Sequence, residues 1–208
     1  MNNTKPLIYV VDDNVSICRA LTLLLKSHGF KVETFTRASD FLAYKHPNLP
    51  SCLILDIRLP DINGLVLQDT MVSRKLNIPI IFITGHGDIP MSVQGMKAGA
   101  IDFLPKPFTE KKLLNAITLA ISKNIAQIKV HAEISKIKRR ARTLSPRELE
   151  VFRLVAKGML SKQIAYKRGI SLQTIKIHRG RVMKKMKAEN VTELIHFAQK
   201  AGITSSKE

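Results

Sequence analysis

Leu7-Ile-Tyr-Val-Val-Asp-Asp13 is five apolar residues in a row closed by two acids. A run so short and so apolar reads as a strand covered on both faces. Ile17, Ala20, Leu21, Leu24 and Leu25 follow at helical spacing, and Gly29 ends that helix because glycine takes the left-handed cap conformation freely. The same unit recurs. Lys31 to Thr34 reads as a strand and Ala38 to Tyr44 as a short helix. Cys52-Leu-Ile-Leu-Asp56 is a third strand, again closed by an acid, and a helix runs from Gly64 to about Lys75. Ile80-Ile-Phe-Ile83 is a fourth strand ending at Thr84, with a helix from Pro90 to Lys97. Ile101 to Leu104 is a fifth, ending at Lys106-Pro107, and a long helix starts after Thr109. Strand and helix alternating five times predict an α/β fold, a doubly wound parallel sheet with helices on both faces.

In such sheets the binding site lies beyond the carboxyl ends of the strands, at the point where strand order reverses. Asp12, Asp13, Asp56, Thr84 and Lys106 all stand at carboxyl ends of predicted strands, so five polar residues from four strands converge. Three clustered carboxylates repel one another and call for a cation, and an open all-oxygen site suits Mg²⁺ with several waters. A lysine opposite neutralises an incoming phosphoryl group, and the fourth strand's hydroxyl donates a hydrogen bond to it. No Gly-rich phosphate loop is present. The chemistry left is an aspartate that attacks a phosphoryl donor with metal help. His86 and Asp88 are too few for a structural zinc, and their loop reads as the mobile segment before the fourth helix.

The 208 residues carry 34 Lys and Arg against 16 acids, a net charge of +18. Residues 1–123 account for only +4, residues 124–142 for +5 and residues 143–208 for +9. A near-neutral front and a basic back indicate two modules with different partners, the second a candidate for nucleic acid, the alternative being a solvated basic surface. A composition 45% hydrophobic and 24% charged is that of a globular chain. No apolar run approaches the ~18–20 residues of a membrane span. The N-terminus does not read as a signal peptide, since its apolar stretch runs into two acids. Cys18 and Cys52 fit no CxxC or zinc spacing and read as small buried apolar groups in a reducing cytoplasm.

The back half reads as four short helices. Ser145-Pro-Arg-Glu148 combines a serine cap, a proline at the first helical position and a glutamate that closes a capping box. Gly158 ends that helix. A second runs from Ser161 to Gly169, a third from Leu172 to about Lys187 behind Ser171, and a fourth from about Val191 to Ala201. Two helices joined by a short Gly-containing turn in a basic unit form a helix-turn-helix pattern. On the third helix Ile175, His178 or Arg179, Val182 and Met186 should face the core. Gln173, Lys176, Ile177, Gly180, Arg181 and Lys184 fall largely on the other side, with cations for phosphates and Ile177 for a thymine methyl. Residues 124–142 contain no Gly or Pro and read as a helical or a flexible linker.

Asp12-Asp13, Asp56 followed by Arg58-Leu-Pro60 and Gly64, then Thr84, Asp102-Phe103 and Lys106-Pro107 resemble a response-regulator receiver domain, over residues 6 to about 123. Ile83-Thr-Gly-His-Gly-Asp-Ile-Pro-Met91 and Asp102-Phe-Leu-Pro-Lys-Pro-Phe108 resemble the FixJ subgroup. The resemblance implies a CheY-like, flavodoxin-like five-stranded sheet of order 2-1-3-4-5. It makes Asp56 the phosphoacceptor, and Asp12, Asp13, Asp56 and the backbone carbonyl of Arg58 the Mg²⁺ ligands. Thr84 and Lys106 would contact the phosphoryl group, Phe103 would be the switch aromatic, and the Lys106–Pro107 bond would be cis. Dimerisation through the fourth helix and fifth strand would use Val93, Lys97 and Asp102.

Leu144-Ser-Pro-Arg-Glu-Leu-Glu150, Lys162-Gln-Ile-Ala165 and Thr174-Ile-Lys-Ile-His178 resemble the LuxR-type helix-turn-helix over residues 143–203, an all-α four-helix domain. Its DNA-binding positions would be Gln173, Thr174, Lys176, Ile177, Arg179, Arg181 and Lys184. Gly180 departs from relatives that carry a basic or polar side chain there. The implied protein has a receiver at 1–123, a linker at 124–142 and a DNA-binding domain at 143–208. It would be a phosphorylation-dependent, sequence-specific transcriptional regulator, not an enzyme beyond its own phosphoryl transfer and dephosphorylation. Its partners would be a sensor histidine kinase, double-stranded DNA and a second copy of itself, with RNA polymerase compatible and no membrane. Two rivals are weighed against it. An aspartyl-phosphate phosphatase would need a general acid at position 58, which is arginine, and a cap domain. A degenerate, phosphorylation-independent receiver would lack part of the acidic set.

Overall fold

A computed structural model of the protein describes residues 5–85 and 89–203, so His86 and Asp88 lie outside the described residues. Two compact units divide between Ile128 and Lys129.

In the first unit β1 (Leu7–Val11), β2 (Lys31–Phe35), β3 (Ser51–Asp56), β4 (Ile80–Thr84) and β5 (Asp102–Pro105) form one sheet of order β2-β1-β3-β4-β5. All four pairings are parallel. The helices between them are α1 (Val15–Ser27), α2 (Ala38–Ala43), α3 (Gly64–Ser73) and α4 (Ile89–Lys97), and α5 (Glu110–Ala141) follows β5. Side chains alternate across a strand, so each strand feeds two cores. Ile8, Val10, Ile54 and Ile81 pack with Leu21 and Leu25 of α1 and Leu113 and Ile117 of α5. Tyr9, Val11, Leu53 and Phe82 pack on the other side with Phe41 of α2 and Leu65, Leu67 and Met71 of α3. Burial on both faces is why β1 is apolar throughout and why the polar residues of β3 and β4 stand only at their ends, Ser51 and Asp56 in β3 and Thr84 in β4. β2 closes one edge of the sheet, and its Lys31, Glu33 and Thr34 are exposed.

One expected core position is corrected. Ala20 is exposed, and Cys18 is the buried member of that turn of α1. Both cysteines are buried free thiols, as expected.

Three caps in this unit were not expected, among them Asn63, which accepts from the amide of Leu65 at the start of α3. Asn14 accepts from the amides of Ser16 and Ile17 at the start of α1. Asp61, in the loop after β3, accepts from the amides of Ala38 (3.2 Å) and Ser39 (2.8 Å), because the Arg37 side chain in the cap position of α2 makes no such bond. α5 is a continuous helix of 32 residues. Its Asn124 is buried in the first unit, accepting from Ser51 N and donating to the carbonyl of Asn77.

The second unit contains α6 (Pro146–Ala156), α7 (Ser161–Arg168), α8 (Leu172–Met186) and α9 (Val191–Ala201). The capping box forms as expected: Ser145 Oγ accepts from Glu148 N while a Glu148 carboxylate oxygen accepts from Ser145 N. Gly169 ends α7 with φ +63°. Phe152, Val155, Ile164, Ile175, Val182, Met186, Leu194 and Ala198 form the core, joined by Ile137 from the last turns of α5. α8 ends at Lys187, which takes the left-handed conformation without being a glycine (φ +56°). Arg140 donates to the carbonyl of Met186 at that end, satisfying a group the helix leaves open.

Candidate functional site

Parallel register brings the polar residues of the first unit together. Val11 pairs with Leu55, so the next residues, Asp12 and Asp56, leave their strands side by side. Asp56 pairs with Ile83 and Thr84 with Pro105, which places Thr84 and Lys106 beyond the adjacent strand ends. Lys106 N donates to the Thr84 carbonyl at 2.7 Å, and the Lys106–Pro107 bond is cis.

Asp12, Asp13 and Asp56 each offer a carboxylate oxygen, and these atoms lie within 4.8 Å of one another. Asp12 is fully buried and Asp56 nearly so, while Asp13 is exposed. Lys106 Nζ sits 2.7 Å from Oδ2 of Asp12 and 2.7 Å from Oδ2 of Asp56. Backbone amides take further lone pairs: Asn14 N donates to Asp12 Oδ1 and Arg58 N to Asp56 Oδ1. Burial pushes the Asp12 carboxyl above its ordinary pKa, against the pull of Lys106. Burial alone would lower the Lys106 pKa, but its hydrogen bonds and charge pairs with Asp12 and Asp56 leave it raised. One ammonium against three carboxylates leaves an open, acidic, all-oxygen group of the kind that holds a hard divalent cation.

Gly64 makes this packing possible, since a Cβ there would lie 2.7 Å from the carbonyl oxygen of Asp56. Thr84 is buried at the end of β4. Phe103 is half-buried, its ring 6.0 Å from that of Phe82. Beside them Val93 is 45% exposed and Lys97 exposed, whereas Asp102 is half-buried with Oδ1 accepting from Phe103 N. Met96, equally exposed next to Val93, was not among the expected surface residues.

In the second unit Ile175, Val182 and Met186 of α8 are buried and His178 is half-buried. Gln173, Lys176, Ile177, Arg181 and Lys184 are exposed on α8, and Thr174 is half-buried with its hydroxyl on Ser171. Arg179 stands apart from the open cations. It is half-buried and its guanidinium donates to Ser161 Oγ at 3.0 Å, tying α8 to α7. Lys185 bridges to Glu148 (2.6 Å) and holds α8 against the start of α6. Neither contact has a sequence signal, because each joins residues 18 or more positions apart.

Residues 8–118 match the response regulator receiver domain family, and residues 142–198 match the bacterial regulatory proteins of the luxR family. The chain is 43% identical to Nodulation protein W of Bradyrhizobium diazoefficiens over 98% of its own length and 90% of that protein. It is 38% identical to the transcriptional regulatory protein FixJ of Rhizobium meliloti, over 96% and 98% of the two chains. The solved response regulator StyR superposes with a TM-score of 0.80 at 42% identity, over 95% of this chain and all of that one. A receiver sheet closed by an acidic pocket and a luxR-type helical unit define a response regulator with a DNA-binding output. The chain belongs to the response-regulator family, in the group that includes the FixJ transcriptional regulators. No helix among the described residues is long and apolar enough to cross a membrane.

Proposed function

We propose that Asp56 accepts a phosphoryl group from a sensor histidine kinase and that the phosphorylated chain dimerises and binds double-stranded DNA to control transcription. The observation that carries this is the convergence of Asp12, Asp13 and Asp56 with Lys106 bonded to two of the three. A carboxylate oxygen of Asp56 forms the new P–O bond while the P–N bond to the donor's histidine breaks, the imidazole leaving with a proton. Asp12, Asp13, Asp56 and the Arg58 carbonyl would hold Mg²⁺, whose charge when bound offsets that of the phosphoryl oxygens. The donor set fits that ion, being all oxygen and net acidic with Lys106 counted.

Lys106 exchanges its bond to Asp56 for one to a phosphoryl oxygen, and the Thr84 hydroxyl donates to another. Movement of Thr84 is passed to Phe103 and to the Val93–Lys97–Asp102 surface, through which two copies pair. Each copy then offers α8, with Gln173, Thr174, Lys176, Ile177, Arg181 and Lys184 toward the major groove and Arg179 positioning the helix. Two linked half-sites raise avidity without new contacts per copy. In this reading 1–123 is the receiver, 124–142 the connector and 143–208 the DNA-binding domain of a cytoplasmic regulator with no enzymatic activity beyond its own phosphorylation and dephosphorylation. RNA polymerase is the partner through which such a regulator acts.

Sedimentation velocity of the full chain, before and after treatment with acetyl phosphate, tests the assembly step. A monomer that becomes a dimer is expected, with a Lys97→Asp variant that accepts phosphate and stays monomeric. A phosphorylated monomer that nonetheless binds DNA tightly would overturn the dimer mechanism.

A further inference from the structure

The second unit carries a cleft on its surface that the DNA reading does not use. It has a volume of about 540 Å³ and is built by α6, the end of α7 and Ile203, with no residue from α8. Leu149, Leu154 and Ile203 give it an apolar floor. Its walls carry five cations and one acid, and that acid is already engaged, since Glu150 pairs with both Arg147 and Arg168. Among the described residues no acid pairs with the remaining three, Arg153, Lys157 and Lys167. Through Leu149, Arg153 and Ile203 the cleft continues into a second hollow of about 400 Å³ that adds Lys138 and Arg142. α7 also exposes 91% of Tyr166, next to Lys167.

Unpaired cations around an apolar floor select a particular chemistry. A DNA strand offers phosphates but is convex and highly charged, and it gains nothing from leucine and isoleucine in a hollow. An acidic protein segment with apolar side chains satisfies both parts: carboxylates meet the rim and the apolar residues fill the floor. Tyrosine and arginine are also the residues that most often dominate protein interfaces. We propose that the α6–α7 cleft is a docking site for an acidic, apolar-anchored segment of a partner protein, open while α8 is on DNA. That the cleft stays open on DNA rests on the assignment of α8 to DNA, whereas its charge and shape stand without it.

The test uses the full chain and a fluorescein-labelled peptide of Asp, Glu, Leu and Phe residues, with a peptide of equal charge lacking Leu and Phe as its control. An Arg153→Gln, Lys157→Gln double variant is expected to bind the first peptide about tenfold more weakly. The control peptide should bind the wild type weakly and respond little to the substitutions. In parallel, the slope of log K for DNA against log[salt] should not change, since an arginine or lysine that neutralises a phosphate would contribute ~0.9 to it. Equal binding of the two peptides would overturn the proposal, leaving only a diffuse basic surface. So would a loss of DNA salt slope in the double variant, which would make the cleft a phosphate contact. Failure of α8 itself to bind DNA appears separately, as an unchanged DNA affinity in Lys176→Ala.

Discussion

The ammonium of Lys106 stands 2.7 Å from Oδ2 of Asp56 and as close to Oδ2 of Asp12, so one cation holds two of three crowded carboxylates. Without it, Asp12, fully buried, keeps only its bond from the Asn14 amide. Lys106→Ala is therefore expected to lower receiver stability in the presence of a chelator by about 1.5–3 kcal/mol, the scale of a hydrogen bond to a charged group. Added Mg²⁺ should recover part of the loss, because it replaces the missing positive charge. Urea unfolding of both proteins with and without Mg²⁺ measures this. A variant as stable as wild type in chelator would show that the two contacts carry no net stabilisation.

Asp61 predicts a pH dependence. Its carboxylate caps α2 from the neighbouring loop, and although burial opposes its charge, the amides of Ser39 and Ala38 bring its pKa from 3.8 to about 2. A folded-state pKa below the unfolded one gives stability that is present above pH 3.8 and lost as pH falls through about 2. Asp61→Ala should cost about 1 kcal/mol at neutral pH, as loss of a helix cap does. The gap between the two proteins should close between those pH values. Denaturant midpoints at pH 7 and at the acid end check it, and a gap that persists in acid would remove the carboxylate from the account.

Gly180 lies in the middle of α8, and a Cβ built there meets nothing within 4 Å. The protein's own packing therefore does not need a glycine. Gly180→Ala should stabilise the second unit by about 1 kcal/mol through helix propensity alone. Thermal unfolding followed by circular dichroism reads that gain. If the same variant loses DNA affinity, the glycine is there to let DNA approach, as its place among exposed Lys176, Ile177, Arg181 and Lys184 suggests.

The cations of α8 should separate into two kinds. Lys176→Ala and Lys184→Ala each remove an exposed charge, and each should lower the slope of log K against log[salt] by ~0.9 if it neutralises one phosphate. Arg179→Ala removes the bond to Ser161, so it should loosen α7 against α8 and lower the stability of the second unit while changing the salt slope less. Filter binding across a salt series, with thermal unfolding of the same proteins, tells them apart. A full slope change in Arg179→Ala with unchanged stability would make it a phosphate contact like the others.

What was legible in the sequence follows from which forces are local. The strands of the sheet could be read because burial on both faces leaves β1, β3 and β4 with apolar interiors, polar residues standing only at the ends of β3 (Ser51 and Asp56) and β4 (Thr84). The site could be read because parallel register carries residues at equivalent strand ends to one place, so Asp12, Asp56, Thr84 and Lys106 meet whatever the loops do. Gly64 was readable as a helix start, but its closeness to the Asp56 carbonyl belongs to the folded chain. Ala20 was misplaced because a small apolar residue carries little signal of which face it takes: two residues on from buried Cys18 it lies about 200° around α1, outside the stripe of Cys18, Leu21 and Leu25. Contacts between distant residues left no local mark: Asp61 caps a helix 22 to 23 positions earlier, Lys185 finds Glu148, and Arg179 finds Ser161. The left-handed Lys187 at the end of α8 also escaped, since only glycine announces that conformation in a sequence.

The central claim is that Asp56 carries the phosphoryl group, and a phosphate-affinity gel of the full chain incubated with acetyl phosphate tests it most directly. Wild type with Mg²⁺ should give a retarded, acid-labile band. Wild type in chelator and Asp56→Asn with Mg²⁺ should give none. A retarded band of full intensity in Asp56→Asn would contradict the account, because phosphate would then be held by a residue other than the one that Asp12, Asp13 and Lys106 surround.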